Sequence, residues 1–237
     1  SNAGKMPVLD CGSDFVFHAH EDAGAIVDKV LALCEAEARG DGTPQDVQVL
    51  SPMKKGEVGV NNLNVCLQRR LNPPSAGKAE LTHGETVLRE GDRVMQTRNN
   101  YQTEWTLETP GRIEKGLGVF NGDVGYVVRI DAEEHAASVL FDGERLAVYD
   151  RAQLDDLELA YCVSVHKSQG SEFPVVILPI AGGAPMLMTR NLLYTALTRA
   201  RSRIHLVGRR SGINRMVRND RIQKRYSALW HFLCEIE

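Results

Sequence analysis

The chain has 237 residues, 43% of them apolar and 25% charged, with a formal net charge of −3; this is the profile of an ordinary globular protein with one large or two modest cores. No apolar run approaches the eighteen or more residues of a bilayer-spanning helix, so no membrane partner and a cytoplasmic location are expected, with the opening SerAsnAla read as an expression scar rather than a targeting signal. The five cysteines (Cys11, Cys34, Cys66, Cys162, Cys234) are odd in number, widely spaced and without CxxC, which argues for reduced packing residues and against a metal site or disulfide frame.

Residues 14–18 alternate apolar and polar; Asp22 then caps a predicted helix in which Ile26, Val27, Val30, Leu31 and Leu33 recur at helical spacing up to Gly40. A loop at 40–44 leads to a buried strand at 47–50, which opens into the basic turn SerProMetLysLysGly. Val60, Leu63, Asn64 and Leu67 suit a second helix, closed before Pro73 and Pro74 because neither proline continues a helix. The first seventy residues therefore read β-α-β-α.

From Gly91 to about Leu159 the texture changes to short runs rich in Val, Thr, Tyr and Phe, broken by AsnAsn, ThrProGly, AsnGlyAsp and AspGly. This is the pattern of a small β-barrel inserted into an α/β domain. AspGly at 142–143 separates two strands as a tight hairpin. Residues 102–118 fit either a longer hairpin at the barrel's edge or a mobile loop. After Glu158 the α/β grammar resumes: strand, polar turn, strand, a Gly/Pro loop at 182–185, a helix at about 189–200, a strand at 204–207, and a C-terminal helix ending near Leu233.

Two segments carry chemistry. HKSQGSEF (166–173) lies between apolar strands at 161–165 and 175–180; it offers a hydroxyl (Ser168), an amide (Gln169), a glycine that permits close backbone approach to a ligand, and a carboxylate (Glu172) suited to a ribose hydroxyl. His166 and Lys167 stand at its mouth. In RNLLYTALTRARSRIHLVG (190–208), Leu192, Leu193, Ala196 and Leu197 form an apolar helical face and leave Arg199 at the helix end, before a strand. A guanidinium on a rigid element can grip phosphate oxygens with two donors, which Lys cannot reproduce; the alternative is an Arg that merely satisfies the helix dipole. From 190 to 225 the chain carries eleven Lys or Arg against the single acid Asp220, the electrostatic footprint of a polyphosphate partner or a solvated basic face.

Together these segments resemble motifs V and VI of superfamily 1 helicases, and the chain resembles the C-terminal part of a RecD-like ATP-dependent DNA helicase. The resemblance runs through VLSPMKKGEVGVNNLN (49–64), GDRVMQTRNNY (91–101), VFNGDVG (119–125), SVHKSQGSEFPVVILP (164–179), RNLLYTALTRA (190–200) and RNDRIQKRYSAL (218–229). It implies an α/β fold with a RecA-like, P-loop NTPase-type parallel sheet (domain 2A, at 4–98 and 160–237) and an inserted SH3-like barrel (domain 2B, at 99–159). It also implies site residues: Gly170 and Glu172 in the nucleotide cleft, Lys55 of motif IV toward the phosphates unless its tip is simply solvated, and Arg199 as the arginine finger. Ser164, His166, Lys167, Asn99 and Asn100 are expected near single-stranded DNA. Implied cofactors are ATP and Mg²⁺; implied partners are single-stranded DNA and duplex junctions, an N-terminal RecA-like domain, and RecB- or RecC-like subunits.

The sequence departs from a complete motor. GxxxxGK[ST] is absent: Lys167-Ser168 lacks the preceding glycines, and Gly77-Lys78 is followed by Ala79. Without the phosphate-cradling loop one wall of an ATP site is missing, so the chain alone is expected not to hydrolyse ATP. A non-catalytic nucleic-acid or protein-binding module built on the SH3-like barrel is the competing reading, and nuclease activity is not expected.

Overall fold

The computed structural model describes residues 14–39, 46–109, 112–182 and 186–220. The loop at 40–44, residues 183–185 of the Gly/Pro loop, the C-terminal helix expected up to Leu233, and most of the 218–229 motif lie outside them.

The chain opens with β1 (Phe15–Ala19), α1 (Ala23–Arg39), β2 (Val47–Ser51) and α2 (Val60–Leu71), the expected β-α-β-α run. Asp22 caps α1, its Oδ2 accepting from Ala25 N at 3.0 Å. Ile26, Val30, Leu33 and Cys34 are buried along one face of α1, the helical repeat that the sequence spells out. On α2 the buried positions include the polar Asn64. Its Nδ2 donates to the carbonyls of Leu159 and Cys162, both at 2.9 Å, and its Oδ1 accepts from Cys162 N at 2.8 Å. A buried amide satisfied on both sides in this way fixes the chain's re-entry into the α/β layer.

The middle third is all β. A two-stranded ribbon, β3 (Glu80–His83) and β4 (Thr86–Arg89), precedes β5 (Arg93–Gln96), β6 (Asn100–Thr109), β7 (Arg112–Val119), β8 (Val124–Asp131), β9 (Ala136–Phe141), β10 (Arg145–Tyr149) and β11 (Leu157–Leu159). Strands β5 to β11 form one antiparallel sheet of order β11-β5-β8-β9-β10-β6-β7. At the β9–β10 turn Asp142 and Gly143 have φ of +51° and +74°, the mirror-image geometry that short hairpin turns favour. Residues 102–109 and 112–118 belong to two long paired strands: β6 and β7 pair from Asn100↔Val119 to Thr109↔Arg112, and β7 is the sheet's edge. The β layer starts earlier than residue 99. GlyAspArgValMetGln places β5 between β8 and β11, and Leu81 and Leu88 of the preceding ribbon pack into the same core as Val94, Phe141 and Tyr149.

The chain then returns through β12 (Cys162–Ser164), β13 (Phe173–Ile180), α3 (Arg190–Leu197), β14 (Ala200–Gly208) and α4 (Arg210–Arg218). With β1 and β2 these strands make a five-stranded, wholly parallel sheet, β1-β14-β13-β2-β12. Its centre is β13, whose Val176, Leu178 and Ile180 face a core shared with α3 and α4, while Ile177 faces the core beneath α1 and α2. A strand covered on both faces must be apolar throughout, which is why ValValIleLeu reads as a continuous run. Each fully buried side chain of this kind stabilises the fold by about 1.5–3 kcal/mol.

Candidate functional site

The turn at 165–172 follows from sheet topology. Strands β12 and β13 are parallel and separated by β2, with Cys162 and Ile177 both level with Val49. The chain leaving the C-terminal edge of the sheet at Ser164 must therefore come back to the N-terminal edge before Phe173. It does so through successive turns. Ser168 N donates to Ser164 O at 3.2 Å, Gln169 N to His166 O at 3.3 Å and Ser171 N to Ser168 O at 3.1 Å. The buried Ser168 hydroxyl donates to Val165 O at 2.8 Å, and Gly170 takes φ +90°, a left-handed value natural to glycine. Ser168, a candidate ligand hydroxyl on sequence, is thus spent inside the turn.

At the N-terminal edge, α3 delivers Arg199. Thr189 caps the helix through Oγ1, which accepts from Leu192 N at 3.3 Å, and Leu192, Leu193 and Ala196 are buried. Arg199 donates from Nη1 to Ser171 O at 2.9 Å, from Nε to Thr195 O at 3.2 Å and from Nη2 to Thr198 Oγ1 at 3.2 Å. In return Phe173 N donates to Arg199 O at 2.8 Å. None of the three acceptors is a carboxylate, so the guanidinium is positioned but its charge is not neutralised by them. Beside it, exposed Glu172 is paired with Arg201, Nε to Oε2 at 3.0 Å. Gly170, Glu172 and Arg199 therefore gather at one edge of the sheet.

Ser164 and the basic residues cluster at the opposite edge. Ser164 Oγ accepts from Lys167 N at 3.3 Å. Lys167 Nζ donates to Glu158 Oε2 at 2.9 Å, and Lys54 Nζ lies 3.6 Å from Glu158 Oε1. Burial pushes the Glu158 carboxyl upward, but the hydrogen bond and charge of Lys167, helped by Lys54, outweigh it and hold the group below the usual glutamate range. His166 and Lys55 are exposed. Lys55 follows Lys54 in the turn beyond β2, at this C-terminal edge and away from Arg199; the structure does not bring it together with Gly170 and Glu172.

Asn99 and Asn100 lie beyond β5 in the β layer. Asn99 Oδ1 accepts from Asn121 N at 2.9 Å, and Asn100 Oδ1 from Gln102 N at 3.0 Å. Residues 156–158 link this region to the Lys167 cluster: Asp156 pairs with Arg98 at 3.7 Å as Glu158 pairs with Lys167. Next to Asn99 and Asn121 two aromatics escape a sequence reading, Tyr101 and Phe120, which are 68% and 41% exposed with ring centroids 5.6 Å apart, edge to face. Their position at strand ends beside AsnAsn and AsnGly is the only signal the sequence offers. Burial pushes the Cys34 thiol up to about 12 and raises that of Cys162 as well, as befits inert packing residues. Among the described residues no helix is long and apolar enough to cross a membrane.

Comparison with known proteins agrees with this architecture. Residues 63–141 match the family model described as the ATP-dependent RecD-like DNA helicase SH3 domain, and residues 159–207 match that of the UvrD-like helicase C-terminal domain. The second match begins where β11 hands the chain back to the parallel sheet. Over 217 residues the chain is 36% identical to the ATP-dependent RecD2 DNA helicase of Deinococcus radiodurans, a match covering 87% of this chain and 27% of that protein. It is 28% identical over 213 residues to the RecBCD enzyme subunit RecD of Mycolicibacterium smegmatis, covering 86% and 34%. A solved Pif1 helicase from Bacteroides, in complex with ADP-AlF3 and ssDNA, is similar at 17% identity and a TM-score of 0.45, covering 90% of this chain and 53% of that one. The chain thus spans about a quarter to a third of the length of these curated relatives. With residues 63–141 matching the RecD-like helicase SH3 domain, residues 159–207 the UvrD-like helicase C-terminal domain, and 36% identity to a RecD2 helicase, the chain belongs to the RecD-like helicase family.

Proposed function

We propose that this chain is the C-terminal motor portion, domains 2A and 2B, of a 5′-to-3′ ATP-dependent DNA helicase acting in DNA repair or recombination. The observation that carries the reading is Arg199: a guanidinium fixed by three neutral acceptors, with no carboxylate among them, at the same sheet edge as Gly170 and Glu172. Such a group fits a polyphosphate. It supplies charge where the transferring γ-phosphoryl oxygens need it, and an arginine finger of this kind is worth about 10³–10⁵ in rate. The chemistry bound ATP and Mg²⁺ bring is phosphoryl transfer to water, and since this sequence holds no GxxxxGK[ST], most of their binding would fall to an N-terminal RecA-like domain.

The residues of this chain would then act as follows. Glu172 leaves an exposed ion pair with Arg201, of little energetic worth, to accept a ribose hydroxyl. Arg199 gives up Ser171 O as it moves onto phosphate, which releases the 165–172 turn at its C-terminal end, beside the N-terminal edge of the sheet. At the other end of that turn, Ser164, His166 and Lys167 hold the backbone of single-stranded DNA. Asn99 and Asn100 extend the path into the β layer, where Tyr101 and Phe120 offer faces on which bases stack. Lys55 belongs by position with this DNA edge, and duplex junctions and RecB- or RecC-like subunits are the partners to examine. The test compares DNA-stimulated ATP hydrolysis by this 237-residue chain with that of the natural reading frame including a P-loop domain. Turnover by the longer protein alone supports the proposal; turnover by this chain overturns it.

A further inference from the structure

A cavity of about 520 Å³ lies where α1 and α2 meet the β layer, beside the start of β2 and on the opposite face of the parallel sheet from α3. One wall is apolar, made by Val47, Leu67 and Cys34, and the opposite wall carries Arg93 and Tyr126. These two are directly paired across β5 and β8, so their side chains stand on one face of the sheet about 5 Å apart at Cβ.

Arg93 is 94% buried by exposure of 6%, yet it forms no ion pair with any described residue. Among the described residues its side chain makes one hydrogen bond, from Nη1 to Val47 O at 2.9 Å, across from one sheet to the other. Nε is buried without a partner, and so is the hydroxyl of Tyr126. Burial pulls the guanidinium's pKa down, and the negative charge of Asp46 opposes this. A buried cation with an unused donor costs several kcal/mol unless an anion compensates it.

The free side of Arg93 is also the chemically specific one. With Nη1 committed to Val47, the Nε–Nη2 edge remains, and two parallel N–H donors along such an edge match the oxygens of a carboxylate or phosphate. Other polar groups around the cavity are already engaged. Arg70 grips Glu35 with two bonds, at 2.7 and 2.9 Å, Lys78 donates to Asn72 Oδ1, and Tyr161 donates to Asp92 Oδ1 at 2.9 Å. A cavity of a few hundred cubic ångströms with apolar walls and a few convergent polar groups is the usual form of a small-molecule site.

We infer that this cavity binds a small organic anion, its carboxylate or phosphate group on the Nε edge of Arg93 and the Tyr126 hydroxyl, its body against Val47 and Leu67. The site is independent of the helicase reading, and because Arg93 already bonds Val47, its ligand bridges the two sheets.

The test uses the 237-residue chain with inorganic phosphate and acetate as separate probes, against sodium chloride at matched ionic strength, and follows the ¹⁵N-edited Nε–Hε signal of Arg93. A saturable shift with either anion, weakened about 3- to 10-fold by Tyr126→Phe as expected for one hydrogen bond, with anion binding read by calorimetry lost in Arg93→Lys, supports the site. Which probe saturates identifies the anion class. Tyr126→Phe keeps the ring and the packing, so it remains informative if Arg93→Lys does not fold. No saturable shift in the unaltered chain, or equal affinity in Tyr126→Phe, overturns the inference.

Discussion

Arg199 donates from Nη1 to the carbonyl oxygen of Ser171 at 2.9 Å, so the end of α3 holds the end of the 165–172 turn. A single hydrogen bond of this kind contributes about 0.5–1.5 kcal/mol. Arg199→Ala should therefore speed amide exchange in residues 168–173 by about 3- to 10-fold while leaving the global unfolding midpoint nearly unchanged. Hydrogen exchange read by mass spectrometry checks this; an unchanged turn would mean that the bond does not tether it.

Glu172 and Arg201 form an exposed pair, their side chains 53% and 64% accessible. Pairs of this sort are worth about 0–1 kcal/mol. Arg201→Ala should shift the urea midpoint barely at all. In a protein that carries the P-loop half, Glu172→Gln should raise KM for ATP several-fold with a smaller effect on kcat. A fall in kcat alone would remove Glu172 from the ribose.

Much of this arrangement is legible in the sequence, and what is not has a common cause. Both early helices, the central strand ValValIleLeu and the AspGly hairpin follow from local periodicity and turn chemistry, which neighbours in the chain decide. The ribbon at 80–89 is less visible, because HisGlyGlu turns on Gly84 at φ +58° between strands of only four residues each. The beginning of the β layer is hidden too: GDRVMQ is as good a strand for one sheet as for the other, and long-range pairing of β5 with β8 and β11 decides. HKSQGSEF shows its polar groups but not that a crossover splits them between two edges. Likewise the Lys54–Glu158–Lys167 cluster and the exposure of Tyr101 exist only once the two layers meet.

On the proposed DNA path, Tyr101 and Phe120 would make a stacking contribution separable from charge. Stacking of one base on an aromatic is worth about 1–3 kcal/mol, so Tyr101→Ala should weaken single-stranded DNA binding by about 5- to 100-fold with an unchanged salt slope. Lys167→Ala should instead lower the slope of log K against log salt by about 0.7. Fluorescence anisotropy across a salt series distinguishes them, and a flat response to Tyr101→Ala would exclude the β layer from the DNA path.

Stability should fall on acidification through a half-buried pair. Burial pushes the Glu37 carboxyl up, but hydrogen bonds from Arg203 and His205 outweigh it and the net shift is downward; burial likewise pulls the His205 imidazole down despite Glu37. Glu37 Oε1 lies 2.8 Å from Arg203 Nη1 and 3.0 Å from His205 Nε2. A depressed carboxylate contributes stability that is present above its ordinary value of about 4.3 and lost as pH falls through the lower folded value. Depressed His205 adds stability present above about 6.5 and lost as pH falls through its own folded value. Urea midpoints measured from pH 7.5 to 3.5 should decline throughout, and Glu37→Gln should flatten the decline below about pH 4.5. A midpoint rising toward acid would contradict the assignment.

The central claim is that Arg199 serves phosphoryl transfer rather than the fold alone. Its most direct measurement is ATP hydrolysis and single-stranded DNA affinity for Arg199→Ala and Arg199→Lys in a protein that includes the P-loop half. The account expects kcat to fall by about 10³–10⁵ in the alanine variant, with little rescue by Lys because the fork is lost, and DNA affinity within about twofold of the unaltered protein, since the DNA set carries the backbone contacts. Full hydrolysis in Arg199→Ala, or parallel loss of hydrolysis, DNA binding and folded structure, would make Arg199 a structural residue and contradict the account.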